Sequence, residues 1–227
     1  MNVQYNLVDS YCPQMYNIFF QLHWGLKMGR VKTFDRDMAV KVAMNEIWQH
    51  GFEACSVKYL SETLGMTRSS FYNAFGSRDE LFLEVLQTYF EQTPDRELEY
   101  IKKTDPVLKT ICEVFKTVCF VRASDNEHKG CLAINSVIEL VGIDEGISDV
   151  LSNAVIKSMQ RFESLLKLAA EKEELNSTDI SAKAMALQNT LIGINVLCKV
   201  VHDGEELWRS TKETLLGLEV YKPSFQL

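Results

Sequence analysis

Proline is scarce in this chain, with four in 227 residues, and none of the four interrupts a long periodic segment. A proline inside a helix removes a hydrogen bond and clashes with the preceding turn, so its scarcity permits long helices. The sequence also lacks any clean alternation of apolar and polar side chains bounded by turn dipeptides, which is the pattern of a half-buried strand. Together these two absences predict an all-α fold.

Paired cysteines are missing as well. The six cysteines are scattered, with no CxxC pair and no spacing typical of a zinc site. The start of the chain lacks the positive charge of a signal peptide, and its apolar stretch at 15–25 is far too short to span a bilayer. We therefore expect free thiols, no bound metal, no membrane association and a cytoplasmic location.

Signatures of catalysis are absent too. No HExxH, no glycine-rich phosphate loop and no GxSxG occurs in the sequence. The four histidines stand isolated along the chain: His23, His50, His128 and His202. We expect no enzymatic activity and no cofactor. A small-molecule-binding helical module with no sequence-specific DNA activity is one class of function that these absences leave open.

An excess of positive charge is also lacking, because the formal net charge is −7. This charge excludes a wholly basic, non-specific nucleic-acid binder, but not a small local surface that reads DNA. The hydrophobic fraction is 46%, which is enough to bury a sizeable core.

Short helices are predicted in the first part of the chain. Apolar residues recur at helical spacing, and a hydroxyl or carboxylate side chain that favours helix starts precedes each segment. The predicted helices cover 35–50, 57–64, 68–75 and 78–92, and the residues expected to cap them are Asp35, Ser56, Thr67 and Ser77. Longer helices are predicted to follow at 105–123, 131–140, 146–173, about 178–201 and 205–218.

The stretch SETLGMTRSSFYNAFGSRDEL, residues 61–81, has the pattern of a helix-turn-helix. Gly65 supplies the left-handed backbone that the tight turn requires. The apolar residues expected to face the core are Leu60, Leu64, Phe71 and Phe75, and the polar residues left on the open face are Arg68, Ser69, Ser70, Tyr72 and Asn73. Arginine and asparagine read base edges and hydroxyls bind phosphates, so this face suits DNA.

The local charge also favours DNA binding. Residues 56–78 contain Lys58, Arg68 and Arg78 against Glu62, three positive charges against one negative, or a balance of +2. The pattern alone leaves open a helical hairpin with a solvated polar face.

Residues 51–86, GFEACSVKYLSETLGMTRSSFYNAFGSRDELFLEVL, resemble the DNA-binding segment of the TetR/AcrR family of bacterial transcriptional regulators. The residues that match the pattern of that family are Gly51, Phe52, Ser56, Val57, Leu60, Ser61, Gly65, Met66, Thr67, Ser69, Phe71, Tyr72, Phe75, Ser77, Arg78, Asp79 and Leu81. The resemblance covers about residues 33–93, and the remainder is similar only in being all-helical and of the right length.

The resemblance implies a fold and a set of DNA contacts. It implies a three-helix helix-turn-helix DNA-binding domain at 33–93 and a C-terminal helical ligand-binding and dimerisation domain at 94–227. It further implies phosphate contacts from Ser56, Thr67, Tyr72 and the helix start at Arg78, and base or near-base contacts from Arg68, Ser69, Ser70 and Asn73. Family members often carry an aromatic residue or histidine at the positions of Asn73 and Ala74, so the operator sequence does not follow from the resemblance.

The resemblance also implies a homodimer that reads a palindromic operator in double-stranded DNA, with repression as the common mode. The last two helices would form the dimer interface, and the apolar stripe assigned to it is Leu187, Leu191, Ile194, Leu197 and Val201. The alternative is that this stripe belongs to the core of one protomer.

A small-molecule inducer is expected in the C-terminal part, and the candidate lining residues are Phe115, Phe120, Met159, Phe162 and Met185. Cys131 is a separate candidate for sensing a reactive species, because His128 and Lys129 precede it at an expected helix start, where a thiol is activated. A Gly-Cys at this place also resembles electrophile- or oxidant-sensing branches of the family. The alternative is a small buried residue that begins a helix.

The first residues form a distinct segment. We expect residues 1–32 to be an N-terminal extension, and residues 1–27 to be either a disordered extension or the product of a start site assigned upstream of Met28. The alternative is a helical arm on the DNA or dimer surface.

Overall fold

The computed structural model describes residues 34–143, 145–176 and 179–227. These residues contain helices and turns but no strand, so the predicted all-α fold is confirmed. The chain divides into the units Met1–Asp35 and Arg36–Leu227, and every helix given below belongs to the second unit. The expectations for residues 1–32 lie outside the described residues.

Four short helices come first, and we call the segment Arg36–Phe90 the head. They are α1 (Arg36–His50), α2 (Val57–Thr63), α3 (Arg68–Phe75) and α4 (Arg78–Phe90). Their apolar faces meet in a core that includes the fully buried rings of Phe52, Phe71 and Phe82.

Hydroxyl side chains begin three of these helices, as predicted. Ser56, Thr67 and Ser77 each accept a backbone N–H from three residues ahead, at 3.2, 3.1 and 3.0 Å. These bonds satisfy donors that a helix start leaves open. Gly65 has a φ of +66°, which only glycine adopts without cost, and it lets the chain turn between α2 and α3.

Longer helices follow a 3₁₀ turn at Pro94–Glu99. They are α5 (Val107–Ala123), α6 (Leu132–Leu140), α7 (Glu145–Glu171), α8 (Ile180–Leu197) and α9 (Gly204–Gly217). The helix α5 packs against α9, and α7 packs against α8. Between them lies a core in which Phe115 and Phe162 stack with ring centroids 5.8 Å apart.

The buried residues form two cores, and α6 belongs to the core of the head. Cys131, Leu132, Ala133, Ile134 and Leu140 pack with the buried side chains of α1 and α4, and so do Ile147 and Leu151 from the first turns of α7. Because α6 is short and apolar on most sides, it buries its surface against the head rather than standing apart. A displacement of α6 would therefore change the packing of the head core.

The assignment of the apolar stripe to the dimer interface was wrong for three of its five residues. Leu187, Leu191 and Ile194 are buried in the core of the same protomer. Their spacing places them on one side of α8, and that side faces α5 and α7. The exposed apolar residues of this region are Met185, Val196, Leu197, Val200 and Leu216.

None of the helices in the described ranges combines the length and the apolar character needed to cross a membrane.

Candidate nucleic-acid interface

The helix α3 has one buried and one exposed face. Phe71 and Phe75 lie in the core of the head, with 0% and 3% of their surface exposed. The polar residues of the helix are all exposed: Arg68, Ser69, Ser70, Tyr72 and Asn73. Because an α-helix has 3.6 residues per turn, positions 71 and 75 share one side and the others face away from the core.

The hydroxyl groups at the start of α3 form hydrogen bonds within the helix. Thr67 Oγ1 caps the helix at Ser70 N, and the hydroxyl oxygens of Thr67 and Ser70 lie 2.9 Å apart, within hydrogen-bond distance. Tyr72 projects its ring outward and packs edge-on against Phe71, with centroids 5.9 Å apart. This packing fixes the direction of the ring and leaves the phenol at the surface.

Lys58 and Arg68 carry positive charge on the exposed sides of α2 and α3, and neither forms an ion pair with a described residue. Exposed cations without acidic partners are available to phosphate groups. Lys58 was counted in the local charge of the sequence but was not predicted as a contact. The signal that would have singled it out is its place on α2, two residues after the capping Ser56.

Arg78, predicted to contact phosphate, turns its side chain back onto the head. Its guanidinium lies 4.0 Å from the centroid of the Phe52 ring, donates to Phe52 O at 3.4 Å and pairs with Glu53 at 3.1 Å. The side chain therefore holds the turn between α1 and α2. The backbone N–H groups at the start of α4 remain the part of this residue that suits a phosphate.

Arg36 is a positioning residue that the sequence did not reveal. Its guanidinium binds both carboxylate oxygens of Glu84 on α4, at 2.9 and 2.7 Å, and also donates to Ala74 O at the end of α3. The hydrogen bond to Glu84 raises the pKa of Arg36. The partner lies 48 residues away along the chain, and no local spacing rule predicts such a contact.

Glu139 of α6 holds the turn that leads into the helix-turn-helix. Its two carboxylate oxygens accept the backbone N–H groups of Phe52 and Glu53 at 3.1 and 2.9 Å. Gly51 has a φ of +87° in this turn, and a Cβ there would lie 3.0 Å from the Glu139 carboxylate. The helix α6 thus contacts the same turn that Arg78 holds from α4.

The residues predicted to bind an effector do not form one cluster. Phe115 and Phe162 are buried in the second core, while Phe120 and Met185 are 38% and 52% exposed. Met159 is half-buried on α7. Two surface depressions, of about 340 and 520 Å³, are lined by other residues.

Cys131 is buried in the core of the head and is the residue just before α6. Its Sγ accepts a hydrogen bond from the Tyr89 hydroxyl at 3.2 Å. The two groups expected to activate the thiol have other partners: Lys129 pairs with Glu127, and the His128 ring stacks on His202 with centroids 3.5 Å apart. The partner of the thiol is therefore Tyr89, which the sequence did not predict.

A tight turn joining two short helices, with an exposed polar face on the second, defines a helix-turn-helix. The molecule is a DNA-binding transcriptional regulator. Residues 39–85 match the family described as bacterial regulatory proteins, tetR family, so this segment has the DNA-binding domain of that family.

Similar proteins support this assignment along most of the chain. The HTH-type transcriptional regulator YezE of Bacillus subtilis (strain 168) is 28% identical over 182 residues, which cover 79% of this chain and 94% of YezE. The HTH-type transcriptional repressor ComR of Escherichia coli (strain K12) is 27% identical over 191 residues, or 82% of this chain and 90% of ComR. These relatives are named as regulators of transcription, which is not an enzymatic function.

A solved structure shares the fold. The TetR family transcriptional regulator CifR, as a cysteine mutant complexed with 26-base-pair double-strand operator DNA, is 26% identical with a TM-score of 0.72. The match covers 82% of this chain and 98% of that one.

Proposed function

We propose that this protein is a homodimeric repressor that binds a palindromic operator and is released by a small molecule or a reactive species. The observation that carries the proposal is the exposed polar face of α3 set on the buried rings of Phe71 and Phe75. ComR is named a repressor and CifR was solved on operator DNA, and both are similar to this chain.

The proposed DNA contacts divide into two groups. Phosphate groups would be bound by Ser56, Thr67, Tyr72, Lys58 and the start of α4 at Arg78. Base edges would be read by Arg68, Ser69, Ser70 and Asn73. Arginine binds guanine through two hydrogen bonds and asparagine binds adenine in the same way, so Arg68 and Asn73 would contribute most to specificity.

The proposed dimer would use α8 and α9. Met185, Val196 and Val200 are 52%, 42% and 74% exposed, and their spacing of eleven and four residues places them on one side of α8 and its following turn. Exposed apolar residues that cluster on one surface mark an interface. We retain residues 33–93 as the DNA-binding domain and 94–227 as the effector-binding and dimerisation domain.

The proposed release acts through the core of the head. Cys131 lies in the head core at the start of α6, so a covalent change there would disturb packing against α1 and α4. Burial raises the pKa of Cys112 to about 12 and that of Cys55 to about 11, which makes both slow to react at neutral pH. Limited alkylation followed by peptide mass spectrometry should modify Cys131 before Cys55 and Cys112, and equal modification would exclude selective sensing.

The test of DNA recognition is a selection of genomic double-stranded fragments by the purified full chain at a stated salt concentration. Bound fragments should share one palindrome with half-sites about one helical turn apart. Retention that is independent of sequence and vanishes with added salt would contradict the repressor and favour a small-molecule-binding module.

A variant identifies the surface used. Arg68→Ala should weaken binding to the selected operator by roughly ten- to a hundredfold and relax the preference at one base pair, as expected for a lost base contact of about 1–3 kcal/mol. The control is Lys109→Ala on α5, which removes an exposed cation that pairs with Glu113 and should leave binding unchanged.

A further inference from the structure

Arg122 of α5 is a buried cation that contacts no carboxylate directly, and Asp95 acts on it only through a coulombic interaction at longer range. Only 5% of its surface is exposed, and it forms no ion pair with any described carboxylate. Buried charges are normally paired, because leaving water is costly for an ion. Replacing a buried charge network by apolar side chains is often neutral or stabilising, so a contribution to stability does not explain this residue.

The guanidinium bonds to neutral groups on two other helices. Its Nε donates to Asn195 Oδ1 on α8 at 2.7 Å, and its Nη2 donates to the Tyr89 hydroxyl on α4 at 2.9 Å. At the far ends, Asn195 Nδ2 donates to Leu191 O at 2.9 Å and the Tyr89 hydroxyl donates to Cys131 Sγ at 3.2 Å. We call the chain Asn195–Arg122–Tyr89 the relay.

The direction of each bond in the relay is fixed by chemistry. An arginine only donates, so the Tyr89 oxygen must accept from it and the phenol hydrogen is left for Cys131. The amide oxygen of Asn195 likewise accepts, which orients its NH₂ group toward the backbone of α8. Burial raises the pKa of the Tyr89 hydroxyl well above its ordinary value, so it remains a neutral donor at physiological pH.

The relay also reaches α1. The ring of Tyr89 meets Trp48 edge-on, with centroids 5.1 Å apart, and the Arg122 guanidinium carbon lies 5.9 Å from the centroid of the same indole. Tyr89 and Trp48 both belong to the head. The relay therefore joins α8, one of the two proposed dimer helices, to two helices of the head.

We propose that the Asn195–Arg122–Tyr89 relay couples the position of α8 to that of α4 and thereby sets the affinity of the dimer for its operator. This inference rests on the proposed function, since α8 and the operator are assigned there. In a buried, low-dielectric site each bond is strong, and breaking one leaves a buried N–H donor of the guanidinium unsatisfied. A shift of α8 by about 1 Å would lengthen the bond to Asn195 beyond hydrogen-bond range unless α5 and α4 moved with it.

The coupling is tested by a double-mutant cycle on operator binding. Tyr89→Phe and Asn195→Ala should each weaken binding about tenfold, within the usual range of coupling between sites. Since both substitutions break the same connection, the double variant should also lose about tenfold. A loss near a hundredfold for the double variant, or no loss for either single one, would overturn the relay. The control is Tyr221→Phe, at a buried tyrosine of the second core, which should leave the operator affinity unchanged.

Arg122→Met separates coupling from stability. It removes the buried charge and keeps an unbranched apolar side chain. Because Asn195 Oδ1 and the Tyr89 oxygen lose their donor, the variant should unfold at a somewhat lower temperature. At a temperature where it remains folded, it should bind the operator about tenfold more weakly. Lower stability with unchanged operator affinity would mean that Arg122 is only structural, and the proposal would fail.

A DNA-independent measurement keeps the relay separate from the proposed function. In the full chain labelled with 5-fluorotryptophan, each of the three tryptophan signals is assigned by a Trp→Phe variant. Asn195→Ala should move the ¹⁹F signal of Trp48 and leave that of Trp208 in place. An unmoved Trp48 signal would overturn the relay, whereas a moved signal in a protein that selects no operator would support the relay and contradict the proposed function.

Discussion

Phe71 and Tyr72 are adjacent aromatic residues of α3 with opposite surroundings. Phe71 is fully buried, while Tyr72 is 51% exposed and carries its hydroxyl at the surface. The helical period decides this difference, because one step along an α-helix rotates the side chain by about 100°. At the residue scale, the division of α3 into a packing face and an exposed polar face follows from position in the sequence.

Gly130 and Gly65 allow a matched test of whether the surrounding atoms leave room for a Cβ. Both have positive φ, +71° and +66°, but a Cβ at Gly130 would lie 2.5 Å from the backbone oxygen of Asn195, whereas a Cβ at Gly65 would meet nothing within 4 Å. Gly65→Ala should cost about 1–2 kcal/mol from backbone strain alone. Gly130→Ala should cost more, because backbone atoms must also move. Denaturant unfolding of both variants compares the two, and equal losses would contradict the close approach at Gly130.

At the scale of elements, α6 connects the head to α7, the helix that follows it. Its apolar residues complete the core of the head, and Glu139 near its end holds the two backbone N–H groups of the turn between α1 and α2. Among the described residues, no other group in the head accepts a hydrogen bond from these two donors. The orientation of α2 and α3 therefore depends on where α6 lies.

Glu139→Ala should weaken operator binding while leaving most of the stability intact. The carboxylate makes two charge-assisted hydrogen bonds that position the head, and each is worth about 1.5–3 kcal/mol when fully buried and less at this half-buried site. We expect operator affinity to fall by about tenfold in a fluorescence binding assay. Ile138→Ala is the control, since Ile138 is the preceding residue and is 74% exposed. Equal effects of the two substitutions would contradict the role of the carboxylate.

Glu174 gives a prediction about pH at the start of α5. Its carboxylate accepts the N–H groups of Val107 and Leu108 at 3.2 and 2.9 Å and pairs with Lys172 at 3.1 Å. Burial alone would raise the pKa of Glu174, but the Leu108 N–H, Lys172 and the Val107 N–H outweigh it and hold the pKa below its usual 4.5.

A carboxyl group with a lowered pKa stabilises the fold above its unfolded pKa and loses that effect as the pH falls through the folded pKa. Glu174→Gln should therefore lower stability by about 1–2 kcal/mol at pH 7, and its difference from the wild type should shrink on acidification below pH 4.5. Thermal unfolding across this range measures the difference, with Glu173→Gln as the exposed neighbouring control. A difference that stays constant with pH would show that the charge is not involved.

At the scale of the whole molecule, apolar surface remains uncovered in one protomer. Val196, Leu197 and Val200 are all more than two-fifths exposed at the end of α8, although Leu187, Leu191 and Ile194 of the same helix are buried. A helix that is apolar on two sides needs a second partner beyond its own core. A second copy of the chain would supply this partner in the proposed dimer.

Val200→Glu should convert the dimer to a monomer and abolish tight operator binding. A charge at an apolar interface lacks a partner and must be desolvated, which costs several kcal/mol. Sedimentation velocity would measure the oligomeric state. Ile138→Glu places the same charge at a position that is also 74% exposed, but on α6. If Val200→Glu remains dimeric, or if both variants dissociate, the interface does not lie where we propose.

The sequence by itself determined the helical class, the limits of the short helices and the faces of α3. These features depend on local spacing, on caps such as Ser56, Thr67 and Ser77, and on the glycine at position 65, all of which act over a few residues. The match to a known DNA-binding segment was visible for the same reason, since its residues lie close together in the chain.

Only the tertiary structure decided which partners the polar side chains take. In the structure, Arg78 pairs with Glu53 and Arg36 binds Glu84. The Cys131 thiol accepts a hydrogen bond from Tyr89 rather than contacting His128 or Lys129. The side chains of Leu187, Leu191 and Ile194 lie in the core of one protomer. Contacts such as that of Arg122 with Asn195 join residues 73 positions apart. Such pairs depend on how helices pack, and helix packing is a property of all the apolar faces together rather than of any local spacing.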